Sequence, residues 1–176
     1  MPDNKLRIMR IFFDDPLAEG GFQLREISRK AKVAPPSTKR YLKELQSEGL
    51  ITITKHRMLG YPTYRANRDD ERFLKKKRID NIARIQESGL IDHIDRSCHP
   101  NAIIIFGSAG RGEDIKESDI DIYVEATQQE IDTKRFASGL NRKIQLFFRK
   151  DFGKMSEELK NNIINGVIMK GYLKVF

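Results

Sequence analysis

The stretch FGSAGRGEDIKESDIDIYVE (residues 106–125) places two carboxylates, Asp119 and Asp121, on either side of Ile120. The alternation of acidic and apolar residues over 119–124 predicts a β-strand. Because successive side chains of a strand point to opposite faces, both carboxylates are expected on one face, with Cα atoms roughly 6–7 Å apart. Two carboxylates placed in this way are suitable ligands for one Mg²⁺ ion that also binds phosphate oxygens.

A glycine-rich segment precedes the two carboxylates and follows the apolar run AIIIF (102–106), which predicts a buried strand. The segment GSAGRG has three glycines in six residues, so its backbone can approach a ligand closely and adopt positive φ angles. Backbone amides in such a turn, with the hydroxyl of Ser108, can hold phosphate oxygens. Arg111 adds a cation suited to phosphate. We therefore expect the turn to hold phosphates and the strand to hold the metal ion.

The spacing of these residues resembles the signature of the polymerase-β-like nucleotidyltransferases, and of the minimal nucleotidyltransferases in particular. The signature consists here of Gly107-Ser108, ten intervening residues and Asp119-Ile120-Asp121, and the resemblance extends over about residues 103–176. It implies that a nucleoside triphosphate binds at the turn. It also implies transfer of a nucleotidyl group to an acceptor, with release of pyrophosphate.

The resemblance also implies roles for individual residues. Gly107 and Ser108 are expected to contact the triphosphate, and Arg111 stands where the family often has a basic residue. Asp119 and Asp121 are expected to be the catalytic residues and to hold the magnesium ions.

One position departs from the family pattern, which has a third carboxylate on a later strand. The matching strand is predicted over residues 143–148, and its alternation puts Gln145 at that position. Glutamine supplies no negative charge and cannot accept the proton of the attacking hydroxyl. We therefore expect Asp119 and Asp121 to bind one metal ion with the triphosphate, and transfer to be weakened or lost. Glu125 shares the Asp121 face but lies about 13 Å further along the strand, too far to substitute.

The first seventy residues predict three short helices followed by two extended segments, LITITKHR and TYRAN, with a turn between them marked by Gly60 and Pro62. With LREISRKAKVAPPSTKRYLKELQSEGLI, this order resembles a winged helix-turn-helix domain over about residues 4–68. The resemblance implies that the third helix enters the DNA major groove and that the wing contacts the backbone. The implied DNA-binding residues are Ser37, Lys39, Arg40 and Lys43 on the helix, and Lys55, His56 and Arg57 on the wing.

The charge distribution agrees with this interpretation. The chain has a net charge of +8, and residues 1–70 carry 14 Lys and Arg against 9 Asp and Glu, a balance of +5. Residues 101–176 carry 12 against 11, a balance of +1. A basic N-terminal part favours binding to a polyanion such as DNA, although solubility alone would also explain it.

These observations predict an α+β protein. Its parts are a winged helix-turn-helix domain over residues 1–68, connecting helices over 69–97 and a nucleotidyltransferase-like domain over 98–176, with a small mixed sheet and flanking helices. The run Lys75–Arg78 is predicted to be the solvated face of a connecting helix. Cys98 and the three histidines lack the paired spacing of a zinc site, so we expect none.

The cellular setting and assembly follow from simpler features. A single cysteine fits a reducing interior. No apolar run approaches the roughly 18 residues of a membrane span and no secretion signal is evident, so we expect a cytoplasmic protein with no membrane association. Winged-helix proteins often read paired half-sites, which makes a homodimer the expected state.

Three functions remain open from the sequence. The first is a DNA-binding protein whose nucleotidyltransferase domain binds Mg-NTP and transfers a nucleotidyl group to an unknown acceptor. The second, suggested by Gln145, is a transcription regulator whose nucleotidyltransferase domain is catalytically silent. The third follows from the resemblance, because some minimal nucleotidyltransferases are antitoxins that adenylylate a hydroxyl on a partner toxin, here a protein partner that the sequence does not reveal.

Overall fold

The apolar spacing of the N-terminal part produces three helices and a two-stranded antiparallel sheet in the computed structural model, which describes residues 3–56 and 59–175. Asp3 caps the first helix by accepting a hydrogen bond from the Leu6 amide at 2.7 Å, and paired prolines open the third helix. The elements in chain order are α1 (Asn4–Asp14), α2 (Leu24–Ala31), α3 (Pro35–Ser47), β1 (Ile51–Lys55) and β2 (Pro62–Ala66).

An apolar cluster holds these five elements together. Phe12, Ile27 and Leu42, one from each helix, are fully buried in it. The Phe22 ring meets the Phe12 ring edge-on at 5.5 Å between centroids, and the Phe22 backbone pairs with Tyr64 of β2. The sheet is thereby attached to the helices, and the buried face of α3 leaves its opposite face to solvent.

The C-terminal part forms a four-stranded mixed sheet with helices on both faces. Its strand order is β5-β4-β3-β6, in which β3 is antiparallel to both neighbours and β4 is parallel to β5. The elements are α4 (Glu71–Glu87), α5 (Leu90–Cys98), β3 (Ala102–Phe106), α6 (Gly107–Arg111), β4 (Ile120–Val124), α7 (Lys134–Leu140), β5 (Ile144–Phe148), α8 (Glu157–Ile164) and β6 (Val167–Gly171).

Strand β3 lies at the centre of this sheet, and each of its five side chains is buried. Ile103 and Ile105 pack in one apolar cluster with residues of α5 and α7, whereas Ile104 packs on the opposite face with Ile163 of α8. The continuous apolar run AIIIF is therefore explained by a strand that is covered on both faces. The small mixed sheet with flanking helices agrees with the predicted α+β class.

Three local predictions need correction. The glycine-rich segment is not an open turn: Gly107–Arg111 form the short helix α6, which ends at Gly112 in the left-handed region. Asp119 lies immediately before β4 and is not part of it. Lys77 belongs to a run that we predicted to be solvated, yet it is only 1% exposed, because it is paired with an acid that is remote in sequence.

The chain divides into two compact units, an N-terminal unit (Met1–Lys76) and a C-terminal unit (Lys77–Phe176). The segment predicted to connect two domains, residues 69–97, folds as helices α4 and α5, and the division falls within α4. Among the residues that the structure describes, every helix is too short or too polar to cross a membrane.

Candidate functional site

The chain leaves the central strand β3 through Gly107, whose backbone is held in the left-handed region at φ 67°. Residues with a side chain rarely adopt this region, so the position favours glycine. A Cβ atom on Gly107 would also overlap Oδ2 of Asp121. The carboxylate of Asp121 therefore lies directly against the backbone at the start of α6, where only a glycine leaves room for it.

The sheet register brings the predicted acids and Gln145 to the same place. Phe106, the last residue of β3, is opposite Asp121 in the antiparallel pair, and Asp121 is beside Gln145 in the parallel pair. The Gln145 amide donates a hydrogen bond from Nε2 to Oδ2 of Asp119. Gly107, the two carboxylates and Gln145 thus form one cluster, which we call the acid–glycine cluster.

The electrostatics of this cluster favour a cation. Burial raises the pKa of Asp121 above its ordinary value, and the neighbouring charge of Asp119 raises this pKa further. Both effects disfavour the ionised form of Asp121, so groups of the protein do not fully compensate its negative charge. The Gln145 amide proton offers Asp119 a partial positive charge but no full one.

The donor set fits one divalent ion that takes further ligands from elsewhere. Within residues 3–56 and 59–175, no group of three or more His, Cys, Asp or Glu side chains is placed to hold a metal ion. The oxygens of Asp119 and Asp121 are the hard ligands that Mg²⁺ prefers, and its remaining positions are commonly filled by substrate phosphates and water. These two acids would thus supply part of one coordination shell.

The other predicted phosphate ligands lie on α6. Ser108 is half-buried, and its backbone carbonyl accepts a hydrogen bond from the Glu113 amide at 3.0 Å. Arg111 is exposed, and its Nε donates to Oε2 of Glu113 at 2.7 Å. Arg111 is therefore paired within its own loop, so contact with a phosphate would require exchange of this surface ion pair.

Glu125 lies at the opposite end of β4 from the acid–glycine cluster. Its amide donates to the Ala102 carbonyl at 2.9 Å, beside the start of β3, whereas Asp121 is opposite the last residue of that strand. Burial, and then the charge of Asp151, raises the pKa of Glu125. Glu125 does not take the place of the missing third acid.

The predicted DNA-binding residues of the N-terminal unit lie on the solvent side of α3 and on β1. Lys39, Arg40 and Lys43 are exposed, and Ser37 is half-buried. The Arg40 guanidinium lies 4.8 Å from the Tyr41 ring centroid and 4.0 Å from Glu44.

The rest of this surface is formed by the two strands. Lys55 is exposed at the end of β1, and the predicted wing residue Arg57 lies outside the described residues. His56 stacks on Tyr61 at 4.6 Å between ring centroids. Arg65 is exposed on β2 and was not among the DNA-binding residues predicted from the sequence.

Comparison with known proteins agrees with the C-terminal geometry. The family model described as Polymerase beta, Nucleotidyltransferase matches residues 89–173, which run from the beginning of α5 beyond the end of β6 and include the acid–glycine cluster. Comparison with curated proteins gave no match, and comparison with solved structures gave none either. The match supports a nucleotidyltransferase fold in this part of the chain, as predicted. Such a domain implies a nucleoside triphosphate substrate, and its type generally uses divalent metal ions.

Replacement of Gly107 by alanine should destabilise the C-terminal unit. The positive φ alone costs roughly 1–3 kcal/mol for a residue with a side chain, and the new methyl group would displace the Asp121 carboxylate. Chemical denaturation should show this loss, and adding Asp121→Ala should recover the part due to the collision. Gly89→Ala is the matched control, because Gly89 also has a positive φ, 77°, and nothing lies within 4 Å of that position. Equal effects of the two alanine substitutions would refute the tight contact.

Replacement of Asp121 by asparagine should stabilise the metal-free protein at neutral pH. Folding raises the pKa of this acid above its unfolded value of 3.8. Between these two pKa values the folded state binds more protons than the unfolded state, so the protein loses stability as the pH rises through this range. Denaturation in EDTA should show a gain for Asp121→Asn at pH 7 that disappears below about pH 3.8. Glu158→Gln, an exposed acid on α8, should show no such gain. A pH-independent difference for Asp121→Asn would contradict the argument.

Proposed function

We propose that this chain is a DNA-binding protein whose nucleotidyltransferase domain binds a nucleoside triphosphate with Mg²⁺. The observation that carries the proposal is the contact between the Asp121 carboxylate and the Gly107 backbone, within the region matched by the family. It puts a candidate metal ligand against the segment that is suited to phosphate. One ligand, a metal-bound triphosphate, has the charge and the oxygens to engage both.

In this proposal Asp119 and Asp121 hold the metal ion, and the Gly107 and Ser108 segment contacts the triphosphate. When bound, the ion neutralises phosphate charge and withdraws electron density from the phosphorus that is attacked. The raised pKa of Asp121 supports such a role, because a cation beside it would compensate a half-buried negative charge. Gly107 has no side chain, so none obstructs the proposed approach of a phosphate to the backbone at that residue.

Transfer of the nucleotidyl group should be weak in this protein. The acceptor hydroxyl must lose a proton, and the strand next to β4 offers Gln145 where an acid would accept it. The Gln145 amide is moreover engaged as a donor to Asp119. This hydrogen bond favours, as a second candidate function, a transcription regulator whose domain binds the nucleotide without turning it over.

The proposed DNA-binding surface consists of the exposed cations Lys39, Arg40 and Lys43 of α3, with Lys55 of β1. Thr38 fixes the start of this helix from its buried side, because its hydroxyl lies 3.1 Å from each of the Val33 and Ala34 carbonyls. A helix anchored on one face and basic on the other suits the DNA major groove. We extend the proposal to a homodimer that binds two half-sites.

Calorimetry should show that the protein binds a nucleoside triphosphate in the presence of Mg²⁺. The four common NTPs should be titrated separately, since the geometry does not select a base. Asp121→Ala should weaken binding at least about tenfold, equivalent to about 1.4 kcal/mol, because it removes a metal ligand. Glu158→Ala, which removes an exposed acid of α8, should leave binding unchanged. If no NTP binds to the wild type, the ligand assignment is wrong.

A labelling experiment with two further variants separates the two candidate functions. Incubation with cell extract and NTPs labelled on the α-phosphate should give weak labelling or none for the wild type. Gln145→Glu should increase it, because the substitution restores an acid beside Asp121. Strong wild-type labelling that is lost in Asp119→Ala would exclude the silent regulator.

Neutralising the α3 surface should reduce both DNA affinity and its salt dependence. The slope of log K against log salt changes by roughly 0.9 for each phosphate that the protein no longer neutralises, so the Lys39, Arg40 and Lys43 triple alanine variant should lose about 2.7 from its magnitude. Fluorescence anisotropy with random-sequence duplex DNA measures both quantities. Lys154→Ala is the control, because it removes a charge that is 84% exposed in the other unit. An unchanged slope in the triple variant would exclude α3 as the contact surface.

A further inference from the structure

A buried acid, Asp114, lies in the segment that joins α6 to Asp119, and it is only 4% exposed. This segment, residues 112–119, links α6 to the candidate metal ligands, and we call it the spacer. A buried carboxylate is strongly destabilising unless charges and hydrogen bonds compensate it. The partners of Asp114 therefore reveal how the spacer is held.

Three side chains from two other parts of the C-terminal unit converge on Asp114. Lys77 Nζ is 3.3 Å from Oδ2 and also donates to the Asp114 backbone carbonyl. Asn81 Nδ2 donates to Oδ1 at 2.7 Å, and Arg142 Nη2 lies 3.5 Å from Oδ2. Both carboxylate oxygens and the carbonyl oxygen of one spacer residue are thus engaged.

Lys77 and Asn81 are four residues apart on α4, so they lie on the same face of that helix. Asn81 Nδ2 also donates to the Ala109 carbonyl at 3.1 Å. One amide group therefore contacts both α6, at Ala109, and the spacer, at Asp114. This contact fixes the position of α6 relative to the spacer.

Arg142 holds the spacer from the other side. It stands two residues before β5, and its Nη1 donates to the Lys116 carbonyl. A local turn follows in the spacer, where the Ile115 amide donates to the Ser118 hydroxyl at 2.9 Å. The backbone is consequently tied at residues 114 and 116, just before Asp119.

We propose that Asp114, Lys77, Asn81 and Arg142 are positioning residues of the nucleotide site. They hold the spacer so that the Gly107 and Ser108 segment and Asp119 face the same ligand, and they need not touch that ligand. The expected effect on nucleotide binding rests on the proposed function. The order of the spacer, in contrast, is a property of the ligand-free protein. Without these contacts the spacer would have to be ordered by the nucleotide itself, which weakens binding.

The choice of variant follows from the charges. Asp114→Asn would remove the carboxylate charge that lies 3.3 Å from the buried Lys77 ammonium, and loss of one charge from a buried pair is strongly destabilising. Asn81→Ala removes two neutral-donor hydrogen bonds and no charge, so it is the milder test. Asn162→Ala, an exposed asparagine on α8, is the matched control.

Amide hydrogen exchange in the ligand-free protein tests whether the spacer is held. The reporters are the hydrogen-bonded amides of Gly112, Glu113, Ile115 and Ser118. In Asn81→Ala these amides should exchange at least about tenfold faster, while the amides of β3 keep their wild-type rates. Affinity for Mg-ATP, or for whichever NTP the wild type binds, should fall about tenfold in the same variant.

Three results would overturn the inference, and one would refute the proposed function. Unchanged exchange in the spacer, or faster exchange with unchanged nucleotide affinity, would overturn the inference. Faster exchange throughout β3 would show that Asn81 supports the fold as a whole, which also overturns it. If Asn81→Ala does not fold, Arg142→Gln removes the contacts from the other side and carries the same expectation. A wild type that binds no NTP refutes the proposed function, and exchange then still decides whether these residues hold the spacer.

Discussion

The packing of the Asp121 carboxylate against Gly107 is the constraint on which the candidate site depends. It requires β3 and β4 to be antiparallel neighbours in the register that sets Phe106 opposite Asp121. It also requires a residue without a side chain at a positive φ where the chain turns from β3 into α6. The buried isoleucines of β3, which are covered on both faces, fix the strand that meets these two conditions. The apolar core thus specifies where the acid and the glycine meet.

This arrangement opposes folding electrostatically. Asp121 is half-buried beside a second acid, and both circumstances raise its pKa, so the ionised form is disfavoured in the folded protein. A neutral residue at this position would favour the stability of the metal-free protein, whereas an acid suits the proposed binding of a cation. Gln145 relieves the repulsion in part, because a third carboxylate there would add a further negative charge and no hydrogen-bond donor to Asp119. The protein therefore combines a less repulsive site with a weaker means of accepting a proton.

Local patterns predicted most of the elements. Contacts between residues remote in sequence were predicted only where the family pattern implied them. The strands β3, β4 and β5 and the helices α4 and α5 follow from apolar periodicity, which depends on neighbours in sequence. The proximity of Asp121 to Gln145 followed from the family pattern. The burial of Lys77 did not follow, because its partner Asp114 is 37 residues away and the Lys75–Arg78 run has the composition of a solvated helix face. Helix α6 was predicted as a turn because three glycines in six residues are typical of loops. The structure shows a short helix there, directly after β3.

The two proposed sites would bind phosphate by different physical means, and this difference agrees with the charge distribution. Duplex DNA presents many phosphates, so affinity arises from several exposed cations, as on α3, and residues 1–70 carry a balance of +5. A triphosphate presents few phosphates, and backbone amides with a metal ion can neutralise them without lysines or arginines. Residues 101–176, with a balance of +1, therefore need no basic surface to accept an anion. The buried cations of the C-terminal unit have another partner: Lys77 and Arg142 face Asp114, where we propose that their charge orders the spacer. In this proposal the neutralisation of the nucleotide would fall to the metal ion and the backbone.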